Sequence, residues 1–113
     1  MNNVPCWQAI IELFDGETGI LHKNEVVKRL NNKYPNKWKP NTIGDHLVGL
    51  SVNQAGAIHH PSLRKHAYLF WLGNLRYRRW NPGRDGLWEI TDEGARHINA
   101  DVVSPGSFVE DVE

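Results

Sequence analysis

Four arginines crowd one short stretch, Leu75-Arg76-Tyr77-Arg78-Arg79-Trp80, and the turn after it, which carries Arg84. A guanidinium is a planar, permanently charged fork that matches phosphate oxygens. In an extended strand, alternation places Arg76, Arg78 and Trp80 on one face and Leu75, Tyr77 and Arg79 on the other. A cationic stripe with aromatic neighbours suits phosphate contact in or beside a nucleic-acid groove. No acid lies between Asp45 and Asp85 to neutralise it. The same arginines could instead pair with Glu89 or Asp92 and cover an aromatic core. Lys37, Lys39, Arg64 and Lys65 would extend the footprint as further phosphate contacts.

A second set of polar side chains, Thr42, Asp45 and His46, falls on one side of a short helical stretch. At a groove, Asp45 could accept from a cytosine amino group and His46 could meet a purine edge, although neither equals the discrimination of an arginine on guanine. The bland alternative is a solvated helix face. The chain also has five tryptophans. Trp7 reads as core and Trp88 as core or rim, whereas Trp38, Trp71, Tyr77 and Trp80 are candidates for stacking an extruded or modified base. Core packing competes for each of these rings.

Other chemistries find little support. His59, His60 and His66 do not make a recognised ligand spacing, and Cys6 has no second cysteine to complete a structural zinc site, so neither metal nor cofactor is expected. Cys6, flanked by Trp7 and Ala9, reads as a buried small hydrophobe. No Ser/His/Asp spacing, phosphate-cradling glycine loop or nuclease-like acidic core is present. The chain is therefore not expected to be an enzyme by itself.

The elements that must position these groups follow from hydrophobic spacing. Trp7, Ile10, Ile11 and Phe14 form a stripe on a first helix, with Asn3 as its N-cap and Pro5 in its first turn. Glycines 16 and 19 break it, and Ile20-Leu21 leaves room for a scrap of strand. Asn24 is placed to cap a second helix with Val26, Val27, Leu30 and Tyr34 inward, ended by Pro35. A third helix, capped by Asn41 or Lys39 and reaching about Ser51 or Val52, buries Ile43, Leu47 and Leu50. Asn53 to His66 reads as a loop. Tyr68–Leu72 and Leu75–Trp80 form a hairpin around Gly73-Asn74, and Leu87–Ile90 forms a returning strand. Thr91-Asp92-Glu93-Gly94 predicts a short terminal helix, with Thr91 as N-cap and two acids in the first turn.

The chain has 113 residues and a formal net charge of zero. That total hides a partition: His22 to Arg84 holds twelve basic residues against two acids, a net of +10, and the remainder is −10. Such asymmetry favours a polyanionic partner. The length fits one domain, residues 1–99, followed by an acidic tail or linker over 100–113. No apolar run approaches the roughly 20 residues needed to span a bilayer, and the N-terminus lacks an export signature, so a cytoplasmic location is expected.

The order of helix, short strand, two helices and a basic hairpin fits an α+β winged helix-turn-helix: three helices, a small antiparallel sheet with its wing, and a short C-terminal helix. The stretch Asn41-Thr42-Ile43-Gly44-Asp45-His46-Leu47, the Asn53–His60 loop and Gly86-Leu87-Trp88-Glu89-Ile90-Thr91-Asp92-Glu93-Gly94 resemble the N-terminal winged-helix domains of modification-dependent, Mrr-like restriction endonucleases. The resemblance covers roughly Trp7 to Ile98 through short motifs. It implies binding of double-stranded DNA, methylated DNA included, that directs a separate nuclease domain or subunit in a restriction or defence system. Two rivals remain at this level: a small winged-helix transcription regulator, and a protein-interaction domain of the same fold.

Overall fold

The computed structural model describes residues 4–16 and 18–98. The expected acidic tail and the Asn3 cap lie outside these residues. Helix α1 (Cys6–Asp15) buries Cys6, Ala9, Ile10 and Phe14, with Pro5 at its N-cap. Trp7 and Ile11 flank that stripe and are half-buried. Strand β1 (Leu21–His22) leads directly into helix α2 (Lys23–Lys33). The cap of α2 is His22 rather than Asn24: the His22 ring accepts from the Asn24 backbone N–H at 3.0 Å. Because β1 ends at His22 and the helix begins at Lys23, it starts two residues too early for Asn24 to be its cap.

Helix α3 (Pro40–Gly49) begins after Lys39, with Pro40 in its first turn where the missing N–H is no loss. Ile43 and Leu47 are buried along its inner side, followed by Leu50 just past its end. Gly49 is required by close packing, because a Cβ there would lie 2.6 Å from the Leu63 side chain. The segment expected as a loop contains a 3-10 turn (Ala55–His59) and a one-turn helix α4 (Pro61–Arg64) that buries Leu63. Leu63 docks on α3 only because Gly49 has no side chain.

Strands β2 (Leu69–Trp71) and β3 (Arg76–Arg79) form the expected hairpin. Together with β1 they make an antiparallel three-stranded sheet in the order β1-β3-β2, with Leu21 opposite Tyr77 and Trp71 also opposite Tyr77. Leu72 N–H donates to Arg76 O at 2.9 Å, so the tip is the three residues Gly73 to Leu75 rather than the two expected. The chain leaving α3 runs beside β2, where the Asn53 side-chain amide makes two 2.8 Å hydrogen bonds with the Trp71 backbone, one in each direction. One side chain thus substitutes for a stretch of paired strand.

After a one-turn helix α5 (Pro82–Asp85) come β4 (Leu87–Thr91) and β5 (Gly94–Ile98), a separate antiparallel pair. Two expectations are corrected here. Leu87–Ile90 does not return to the hairpin sheet, and Thr91-Asp92-Glu93-Gly94 turns a β-hairpin rather than starting a helix. Thr91 Oγ1 accepts from the Glu93 N–H at 3.1 Å, a bond that an N-cap and this turn have in common. The local signal is real but serves a different element.

The apolar cluster joins α1, α2 and α3 to one face of the three-stranded sheet through Ile10, Phe14, Leu30, Leu47, Leu69 and Tyr77. The architecture is α+β, with five helices and two small antiparallel sheets among the described residues. No described helix is long and apolar enough to cross a membrane.

Candidate nucleic-acid interface

The outer side of α3 and the hairpin tip enclose a cleft of about 240 Å³, lined in part by Lys23, Asn41, Asp45, Val48 and Leu75. With 100° between successive helical residues, Asn41, Asp45 and Val48 share the side opposite Ile43. Thr42 and His46 occupy a neighbouring edge, half-buried, where the His46 ring nitrogen Nδ1 sits 2.9 Å from the Thr42 carbonyl. The structure therefore separates the expected trio: Asp45 faces the cleft, and Thr42 and His46 do not line it. Asn41, Val48 and Leu75 replace them. Helical spacing alone could have found Asn41 and Val48, whereas Leu75 required the fold of the hairpin.

The tip is rigidly placed. Gly73, Asn74 and Leu75 have φ of 85°, 51° and 60°. For a bulky residue such as Leu75 this left-handed conformation costs about 1–2 kcal/mol. It is maintained by the Lys23 N–H, which donates to the Leu75 carbonyl at 2.8 Å and ties the tip to the start of α2. Leu75 is 47% exposed despite that cost.

At the other end of β3 is a hollow of about 280 Å³ lined by Thr18, Arg78, Arg79, Trp80, Asn81 and Arg84. Here the four arginines part company. Arg78 is committed internally: Nη1 and Nη2 donate to the two Asp85 carboxylate oxygens at 2.8 and 2.6 Å, while the guanidinium covers the Phe70 ring. Asp85 has a side chain only 3% exposed and accepts a further bond from the Asn81 N–H. The hydrogen bonds from Arg78 hold its carboxyl below the ordinary aspartate range against the opposing effect of burial, and the same pair raises the Arg78 guanidinium. Arg84 touches Asp85 at 3.5 Å but stays largely exposed. Arg76 and Arg79 are exposed and have no ion pair among the described residues. Of the acids expected as partners, Glu89 pairs instead with Arg96 across β4 and β5.

The aromatic candidates also divide. Tyr77 is corrected as a stacking residue: its ring is 2% exposed, burial raises its phenol, and its hydroxyl donates to Gln54 at 3.2 Å. Trp38 and Trp71 pack against the core. Trp80 is half-buried, its indole N–H donating to the Gly86 carbonyl, and its ring lines the arginine hollow. Among the basic residues, Lys39, Arg64 and Lys65 are exposed. Arg64 and Lys65 border a third hollow of about 310 Å³ beside Trp88 and Ile90. The Lys37 ammonium lies over the Tyr34 and Trp38 rings and donates to the Val4 carbonyl. Among the described residues no group of three or more His, Cys, Asp or Glu is placed to hold a metal ion.

Comparison with family models, curated proteins and solved structures finds no match to this chain.

Proposed function

We propose that this chain is a winged-helix module that binds double-stranded DNA. In this reading α3 is the helix presented to the major groove and the β2–β3 hairpin is the wing. The sheet order β1-β3-β2, with β1 inserted between α1 and α2, is compatible with that assignment. The observation that carries it is the combination of a polar cleft on the outer side of α3 with Arg76 and Arg79, exposed on the adjoining strand and offset by no described acid. Exposed arginines without an acid partner are suited to phosphates, whose neutralisation releases counterions and drives association.

The resemblance to Mrr-like N-terminal domains extends the proposal. The module would supply target recognition to a nuclease domain or subunit of a restriction or defence system, and methylated DNA would be among its ligands. Trp80 is then the ring placed to stack beside a phosphate held by Arg79 and Arg84.

The test is the salt dependence of binding to a labelled mixed-sequence duplex, followed by fluorescence anisotropy. Affinity is expected to fall steeply between about 50 and 200 mM salt. Replacing Arg76, Arg79 and Arg84 by Ala should reduce the log–log slope by about one for each phosphate left without its arginine. A shallow slope, or a slope unchanged in the triple variant, would overturn the reading.

A further inference from the structure

From Val26 to Arg84 the chain carries eleven basic residues and one acid, Asp45. That acid is neither buried nor paired. It is exposed in the middle of α3, lines the cleft under the hairpin tip, and makes no ion pair or side-chain hydrogen bond among the described residues. Lys23 lies close by, over the side-chain-free position at Gly44, yet forms no salt bridge with it. An unpaired carboxylate on a surface that approaches DNA repels phosphates and weakens every non-specific complex. Such a group helps only where it receives a donor that phosphates cannot offer.

We propose that Asp45 is the base-selecting residue of the cleft and that the group it selects is the exocyclic amino group of a cytosine in the major groove. This rests on the DNA-binding reading above. On the major-groove edge, guanine and thymine present only acceptors to a carboxylate, and adenine sets an N7 acceptor beside its amino group. Cytosine presents its amino donor next to an apolar C5 edge. Among the side chains lining the cleft are one that only accepts, Asp45, and two apolar ones, Val48 from α3 and Leu75 from the tip, with Lys23, Asn41 and Gln54 completing a polar rim. Leu75 reaches this place through its positive φ and its anchor to Lys23. A base seated in the cleft displaces water from the exposed carboxylate, so a base that offers no donor there leaves it unmatched. Asp45 thereby selects twice, attracting cytosine and repelling bases and phosphates that offer only acceptors.

The experiment is selection from a pool of randomised duplexes with the full chain and with Asp45→Ala, together with affinities for a selected and a mixed-sequence duplex. Asp45 touches no described partner, so the variant should keep its fold, which circular dichroism will check. The native chain is expected to prefer cytosine at one position by roughly 5- to 100-fold. In Asp45→Ala that preference should disappear while affinity for mixed-sequence DNA rises a few-fold. Retained cytosine preference in the variant would overturn the assignment, as would a uniform loss of affinity for all sequences. Native chain that binds no duplex in a salt-dependent manner would overturn the DNA-binding reading itself, and that outcome is distinct from either of these.

Discussion

Asp85 illustrates how one side chain redirects a cluster of charges. In sequence it closes the acid-free interval after Asp45 and looks like the edge of the basic region. In the fold it takes both arms of the Arg78 guanidinium and the Asn81 N–H, so it clamps α5 onto β3 and positions Arg84 at the rim of the hollow. Removing one partner of a pair this enclosed leaves an unmatched charge, and Asp85→Asn is expected to destabilise the fold by about 3 kcal/mol at pH 7. The native carboxyl is held below its ordinary range, so the pair's contribution is complete above the unfolded pKa of about 4 and is lost as pH falls through the lower native value. Urea unfolding at pH 7 and pH 3 should therefore show a gap between native and variant that narrows in acid; equal stability at pH 7 would show the clamp to be idle. Cys6 supplies a second test at this scale. Burial pushes its thiol up to about 11, so a thiol reagent at pH 8 should label it only at the rate of unfolding, and rapid labelling of the folded chain would contradict its place in the core.

The elements differ in how openly the sequence declares them. Helices α1, α2 and α3 were legible because Ile10 and Phe14, Val26 and Leu30, and Ile43 and Leu47 repeat at helical spacing and all prove buried. The hairpin was legible from its aromatic strands and Gly73-Asn74. Three features were hidden for separate physical reasons. The Asn53 amide completes β2 from a position 18 residues away, which no local pattern encodes. The Thr91 hydroxyl makes the same bond to an N–H two residues on whether a helix or a hairpin follows, so the choice fell to pairing with β5. Thr42 and His46 fall outside the cleft that Asp45 lines because that cleft depends on where the hairpin tip lands. Leu75 embodies that dependence, and Leu75→Gly isolates it. Glycine adopts a φ of 60° without the penalty that leucine incurs, while giving up the contacts of a half-exposed side chain. The variant is expected to match the native chain in stability, because relief of about 1–2 kcal/mol of strain offsets glycine's entropy cost and the lost contacts, while binding DNA less selectively. A thermal melt several degrees below that of the native chain would remove strain as the description of the tip.

At the scale of the whole molecule, the zero net charge has a spatial logic. Two described acids are paired with cations within the fold, Asp85 with Arg78 and Glu89 with Arg96. Arg76 and Arg79 have no such partner among the described residues, so the exposed charge of the hairpin is more positive than composition suggests. Much of the compensating negative charge belongs to residues 99–113, which contain four acids and no base. These acids follow Ile98 in the chain, and their charge opposes the approach of a polyanion. Such action fades over a Debye length, about 10 Å at 0.1 M salt and about 3 Å at 1 M. A chain ending at Ile98 should therefore bind a mixed-sequence duplex several-fold more tightly than the full chain at about 50 mM salt, with the advantage shrinking steadily as salt is raised to about 300 mM. Anisotropy titrations of the two chains across that range decide the matter. Equal affinities at low salt would mean that the acidic segment does not modulate the basic surface, and an advantage that persists at high salt would point to direct occlusion rather than to charge.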